Sequence, residues 1–137
     1  MVEGWNEGWD GDWTADGNAF SFTKAYPDFD IVEIGKYAAK KNVRLIGHHE
    51  TAGATKNYES QLEEAFKLYN KIGVNTVKTG YVNKYLDKKE WHDSQYGVRH
   101  YRKVIETAAK YKIMIDNHEP VKGCLLYTSD AADEEDS

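Results

Sequence analysis

The chain has 137 residues, 30% of them charged and only two proline, with a formal net charge of −5. That composition suits one globular unit rather than a disordered segment. No stretch approaches the roughly 20 apolar residues of a membrane span, and neither a membrane span nor a nucleic-acid partner is expected. The start, Met-Val-Glu-Gly-Trp, is neither basic nor apolar, so no signal peptide is visible there.

Residues 1–27 hold Trp5, Trp9, Trp13, Phe20, Phe22 and Tyr26 among glycines and aspartates, without helical periodicity. This reads as one long loop, and a loop of that length in a compact domain is usually functional. Indole faces can stack on sugar rings, and Asp10, Asp12 and Asp16 can accept hydroxyl hydrogen bonds. The tryptophans could equally just plug the mouth of a barrel. Asp28 or Asp30 then caps a helix to about Lys41, with Ile31, Ile34 and Ala38 on one face. Val43, Leu45 and Ile46 read as a short buried strand that ends in His48, His49 and Glu50. Neighbours on a strand point opposite ways, so His49 is taken as structural. Thr51 to Lys56 is a loop, Asn57 caps a second helix, and Leu62, Ala65, Phe66 and Tyr69 form its apolar stripe. Gly73 ends that helix in a left-handed conformation. Thr76–Val82 is a strand with Lys78 inside it, followed by a polar loop with Trp91 and His92. Asp93 or Ser94 opens a third helix that turns Val98, Tyr101, Ile105 and Ala108 inward. Ile113–Glu119 is a closing strand that ends in His118 and Glu119.

Residues 124–137 do not belong with the rest. Cys124-Leu-Leu-Tyr-Thr-Ser-Asp-Ala-Ala-Asp-Glu134 reads like a translated transposase adapter from a sequencing library, which is left out of fold reasoning. The segment carries five acids and no Lys or Arg, so residues 1–123 are formally neutral. It also carries the only cysteine, which leaves neither a disulfide nor a thiol nucleophile.

The order loop, α, β, α, β, α, β predicts an α/β fold with parallel strands whose C-terminal ends share a rim. A doubly wound sheet gives the same pattern, but no Gly-x-Gly-x-x-Gly or Walker-type loop follows a strand. Carboxylates and imidazoles at successive strand ends favour a partial (β/α)8 TIM-type barrel, about three of its βα units. The rim would gather His48, Glu50, Lys78, His118 and Glu119. Paired carboxylates such as Glu50 and Glu119 are the usual equipment of glycoside hydrolysis. His48 and His118 can donate to sugar hydroxyls, Lys78 adds positive charge, and Glu119 can share its oxygens with a hard cation such as Ca²⁺. Three open units bury little apolar surface, so this chain alone is expected to be inactive and marginally folded.

Several words make the resemblance specific: Gly-Trp-Asn-Glu-Gly-Trp, Ala25-Tyr-Pro-Asp-Phe-Asp30, Leu45-Ile-Gly-His-His-Glu-Thr51, Asn57-Tyr-Glu59, Val77-Lys-Thr-Gly-Tyr-Val82, Gln95-Tyr-Gly-Val-Arg-His-Tyr101 and Asp116-Asn-His-Glu-Pro120. Over about residues 1–122 the chain resembles the α-glucosidase branch of glycoside hydrolase family 97. The resemblance implies a Ca²⁺-dependent, exo-acting α-glucosidase of the inverting type, acting on α-glucosides or malto-oligosaccharides, from the bacterial periplasm or secreted. Its (β/α)8 barrel would lie between a β-sandwich and a small β domain, neither present here. The resemblance makes Glu50 and Glu119 general bases on water, with Glu119 also a Ca²⁺ ligand. It places His48, His118 and Lys78 on the sugar. Retaining members carry an Asp nucleophile where Gly80 stands, and glycine has no side chain to attack with. The general acid and the other Ca²⁺ ligands fall outside this stretch. Two rival readings are a metal-dependent amidohydrolase-type barrel, with His48 and His118 on a transition metal, and a non-catalytic sugar-binding relative.

Overall fold

Helix α1 runs Ile31–Lys40, and Asp30 opens it by accepting the Glu33 N–H at 3.1 Å. This computed structural model describes residues 1–83, 85–92 and 94–117; His118, Glu119 and residues 124–137 lie outside the described residues. The buried stripe of α1 is Ile31, Gly35 and Ala38, and Ile34 is 40% exposed. At 100° per residue, Ile31, Gly35 and Ala38 lie within about 60° of one another, and Ile34 falls outside that arc. Gly35 packs directly on Ile72, whose carbonyl leaves almost no room for a Cβ there.

The first strand is later than the sequence predicts. β1 is Gly47–Glu50, so His48, His49 and Glu50 lie within the strand and not past its end. Val43 and Ile46 are exposed at 55% and 40%. The reason is pairing: the partner strand β2, Thr76–Gly80, meets β1 from Gly47↔Val77 to Glu50↔Gly80, and it begins too late to pair with residues 43–45. β2 also stops at Gly80, short of the expected Val82. β5, Met114–Asn117, pairs with β2 on its other side, giving a three-stranded parallel sheet in the order β1-β2-β5.

Helix α2, Thr55–Lys71, begins two residues before Asn57, and its cap position, Ala54, offers no side-chain hydrogen bond. Asn57 instead donates to the Gly17 and Phe20 carbonyls. The cap comes from Asp87, 31 residues on, which accepts the Lys56 N–H at 3.1 Å and the hydroxyls of Thr55 and Tyr96. Burial alone would raise the Asp87 carboxyl, but these hydrogen bonds outweigh it and hold it below its ordinary value. Asp87 stands in a short antiparallel hairpin of β3, Tyr85–Leu86, and β4, Glu90–Trp91, where the sequence suggested only a polar loop. Gly73 closes α2 with φ +84°, as predicted.

Helix α3, Gln95–Lys110, starts at Ser94, which accepts the Gly97 N–H. It buries Gly97, His100, Tyr101, Val104 and Ala108; Val98 and Ile105 are half-buried. The main core joins Tyr58, Leu62, Ala65, Phe66 and Tyr69 of α2 to Val77, Val104 and Ala108. Trp5, Phe20 and Phe22 of the N-terminal segment complete it. That segment is a loop, as expected, but a fastened one: Asn6 bridges Ala25, and a 3-10 turn spans Gly17–Ala19. No helix among the described residues is long and apolar enough to cross a membrane.

Candidate active site

Register decides which side chains meet. Paired residues of a parallel sheet share a face, and alternate residues along a strand take opposite faces. The pairs His48↔Lys78, Glu50↔Gly80 and Lys78↔Asp116 therefore put His48, Glu50, Lys78 and Asp116 on one face. His49, Val77, Thr79 and Ile115 take the helix-covered face. Three of the predicted rim residues thus share a surface on the strands themselves. Asp116, which sequence reasoning missed, joins them; it stands two residues before His118, a spacing that could have marked it.

Glu50 is held by backbone N–H groups just beyond the ends of β1 and β2. Its Oε2 accepts the Ala52 N–H at 2.8 Å and the Val82 N–H at 3.3 Å. Its Oε1 lies over the α-carbon of Gly80, where a built Cβ would overlap Oε1 and sit 3.0 Å from Cδ. The strand ends are tied together as well: Thr51 donates to the Gly80 carbonyl through its N–H at 2.9 Å and its hydroxyl at 2.8 Å. Glu50 and glycine at position 80 are thus fitted to each other.

His48 is buried at 6% exposure, with Nδ1 3.3 Å from the Glu3 carboxylate and the Trp9 ring nearly parallel at 6.3 Å. Its N–H donates to the Tyr69 hydroxyl, which also accepts the Trp5 indole N–H. His49 is structural, as its position predicts. It contacts the Tyr58 hydroxyl at 2.7 Å and stacks on Tyr69, and burial with help from His48 pushes its pKa down to about 3. A ring that cannot hold a charge fits an apolar layer.

The aromatic loop divides by burial. Trp5 is core, while Trp9 and Trp13 pack edge to face above Phe20 and remain half-buried. The expected hydroxyl acceptors are engaged locally. Asp10 accepts from Tyr26, Asp12 from Thr14, and Asp16 from Asn18, with Lys88 at 3.6 Å. A cavity of about 370 Å³ lies between this loop and the hairpin, lined by Asp16, Ala52, Gly53, Asn83, Tyr85 and Asp87 among others. It reaches Ala52, next but one to Glu50, yet includes none of His48, Glu50 or Lys78.

Behind the site runs a chain whose three members lie in separate words quoted above, with nothing in those words to tie one to another. His100, 2% exposed, holds Glu59 at 2.6 Å through Nδ1 and the Tyr81 hydroxyl at 2.8 Å through Nε2. Its members come from α2, α3 and the residue after β2, so only the fold brings them together. The hydrogen bond from His100, helped by Lys103, holds the Glu59 carboxyl below its ordinary value despite burial. Among the described residues, no group of three or more His, Cys, Asp or Glu side chains is arranged to hold a metal ion. The expected Ca²⁺ ligand, Glu119, and the sugar contact His118 lie outside them.

Acid, imidazole and ammonium groups thus share one face of a parallel sheet near its C-terminal ends, with Trp9 of the aromatic loop over His48. The family model described as Glycoside hydrolase 97 matches residues 1–128, and the chain belongs to that family. The family is one of glycoside hydrolases, not amidohydrolases. Solved structures agree. A family 97 variant from Pseudoalteromonas sp. strain K8 in complex with panose is 50% identical with a TM-score of 0.84. The enzyme from the same strain in complex with acarbose is 48% identical with a TM-score of 0.83, as is a further variant from that strain. Each match covers 91% of this chain and 20% of the other, so the chain spans a fifth of those proteins.

Proposed function

We propose that this chain is about three βα units of a (β/α)8 catalytic barrel from an exo-acting α-glucosidase that inverts the anomeric centre. Residues 1–123 are the barrel segment and 124–137 the non-native adapter translation. The sequential parallel order β1-β2-β5, with a helix between each pair, supports the barrel. The panose and acarbose complexes of the relatives support an α-glucoside or malto-oligosaccharide substrate.

The observation that carries inversion is the seating of Glu50 over Gly80. With the carboxylate there, position 80 has no room for a side-chain nucleophile, and the attacking group has to be water. Glu50, fixed by two backbone N–H groups, takes the proton of that water as it attacks the anomeric carbon and the glycosidic C–O bond breaks, the leaving oxygen taking its proton from the general acid outside this stretch. The separation of acid and base in inverting sites, about 6.5–9.5 Å, leaves room for it. Lys78 and His48 bind sugar hydroxyls from the same face, and His118 is assigned to the sugar on the resemblance. Glu119 is assigned, on the resemblance, as the second base and as a Ca²⁺ ligand; the bound ion would supply positive charge to polarise oxygen there. Proton NMR of the first-formed glucose, released by the full-length enzyme from an α-linked substrate, tests the reading. β-Glucose is expected, and α-glucose as the first product would overturn it.

A further inference from the structure

We propose that the Glu59–His100–Tyr81 chain is a positioning relay that holds the seat of Glu50, so that His100 and Tyr81 act on the reaction through Glu50. This rests on the reading of Glu50 as a base. The seat is the stretch Gly80–Val82: Gly80 leaves space for Oε1, and the Val82 N–H holds Oε2 at 3.3 Å. Tyr81 is the residue between them, and its side chain points away from Glu50's face, inward to the helices. It is 2% exposed and packs edge to face on Tyr101 and His100 at 5.0 and 5.3 Å. Its hydroxyl is bound by His100 at 2.8 Å.

The proton order within the chain follows from Glu59. Its lowered carboxyl is ionised at neutral pH and can only accept, so His100 Nδ1 carries the donated hydrogen. Nε2, on the other side of the ring, then meets the Tyr81 hydroxyl at 2.8 Å. A carboxylate that fixes one imidazole nitrogen sets the tautomer and orientation of the other. Burial raises the Tyr81 phenol well above its usual value, so the hydroxyl anchors and does not ionise. The relay begins at the half-buried Glu59, paired with the exposed Lys103, and ends beside the rim. It therefore connects the gap between α2 and α3 to the end of β2.

The test uses Tyr81→Phe and Glu59→Gln in the full-length enzyme. The groups that share Glu50's face are His48 on β1, Lys78 on β2 and Asp116 on β5, with Glu3 beside His48, and neither substitution touches them. Loosening the Val82 N–H removes a hydrogen bond that favours the charged carboxylate, so the acidic limb of kcat against pH moves up by about half a pH unit or more in Tyr81→Phe. A smaller upward move is expected in Glu59→Gln, which keeps an acceptor for Nδ1. A role confined to stability would lower the melting temperature and the active fraction without moving the limb, and an unmoved limb in both variants overturns the proposal. Glu50→Gln separates the two readings. If it leaves turnover intact, the assignment of Glu50 fails and takes the relay with it. If it abolishes turnover while Tyr81→Phe leaves the limb in place, only the relay fails.

Discussion

Replacing Gly80 by alanine adds one methyl group at the point where the carboxylate of Glu50 rests. The backbone of Gly80 is outside the left-handed region, so the methyl brings no conformational strain, and its whole effect falls on Glu50. Ordinary contact with a Cβ begins near 3.4 Å, so Oε1 has to retreat by about 1 Å, a misplacement that can cost on the order of a hundredfold in rate. The retreat is opposed by the Ala52 N–H at 2.8 Å and the weaker Val82 N–H at 3.3 Å. Hydrogen bonds to a charged group contribute about 1.5–3 kcal/mol, and water compensates much of that loss because Glu50 is only half-buried. Stability therefore changes by no more than about 2 kcal/mol while kcat falls about a hundredfold and KM stays within a small factor. Steady-state kinetics of the full-length Gly80→Ala enzyme on p-nitrophenyl α-glucoside, with a thermal melt alongside, measures both. A kcat equal to that of the unaltered enzyme would mean that the position of Glu50 does not matter to the chemistry, and the argument from the seat would be wrong.

Glu50→Gln should lower kcat by about 10²–10⁴, the usual contribution of a positioned base, and Glu119→Gln should lower it further because Glu119 is assigned both a proton and the Ca²⁺; kinetics of the two variants ranks them. His49 should make the fold acid-sensitive. Its folded pKa of about 3 lies below the ordinary 6.5, so the unfolded chain alone takes up a proton as pH falls between those values. Stability is then lost at up to about 1.4 kcal/mol per pH unit, and denaturant titrations of His49→Gln from pH 7 to pH 4.5 should show that slope reduced. Asp87→Ala should cost about 1–2 kcal/mol by uncapping α2. The contribution of Asp87 has the opposite origin from that of His49: it is complete above about 3.8 and disappears as pH falls through the lowered folded value, so melts at pH 7 should separate variant from parent more than melts at pH 2.5.

Apolar periodicity made the helices readable. Ile31 and Ala38, then Leu62, Ala65, Phe66 and Tyr69, repeat at helical spacing, and all six are buried. The alternation of elements was enough to anticipate parallel strands. Strand limits were not readable, because Val43, Leu45 and Ile46 look like a strand by composition while pairing depends on where β2 begins. Of the site, the gathering of His48, Glu50 and Lys78 at one rim followed from the parallel order of the strands and His49 was set apart by period two, while their shared face depends on the register. What escaped was the long-range polar wiring. Nothing in the spacing of Glu59, Tyr81 and His100, or in Asp87 and Thr55, ties them together, since short polar side chains carry no periodic signature and meet only after helices have packed. The same holds for Asn57, which looked like a helix cap and instead fastens the N-terminal segment.

The cap on α2 has a consequence for the order of folding events. A helix that carries its own cap can form its first turn from local contacts, on the sub-microsecond scale of helix–coil relaxation. Here the first turn waits for a loop of about 30 residues to close, since Thr55 and Lys56 gain their acceptor only when the hairpin returns. Closing such a loop carries an entropy penalty that local contacts avoid. The N-terminal turn of α2 and the β3–β4 hairpin therefore belong to one cooperative unit, whereas the middle of α2, from Leu62 to Tyr69, is held by the buried core. Amide hydrogens of the first turn should exchange with those of the hairpin, at a lower opening free energy than those of the helix centre. The wall of the cavity beside Glu50 is thus drawn from the less stable part of the molecule.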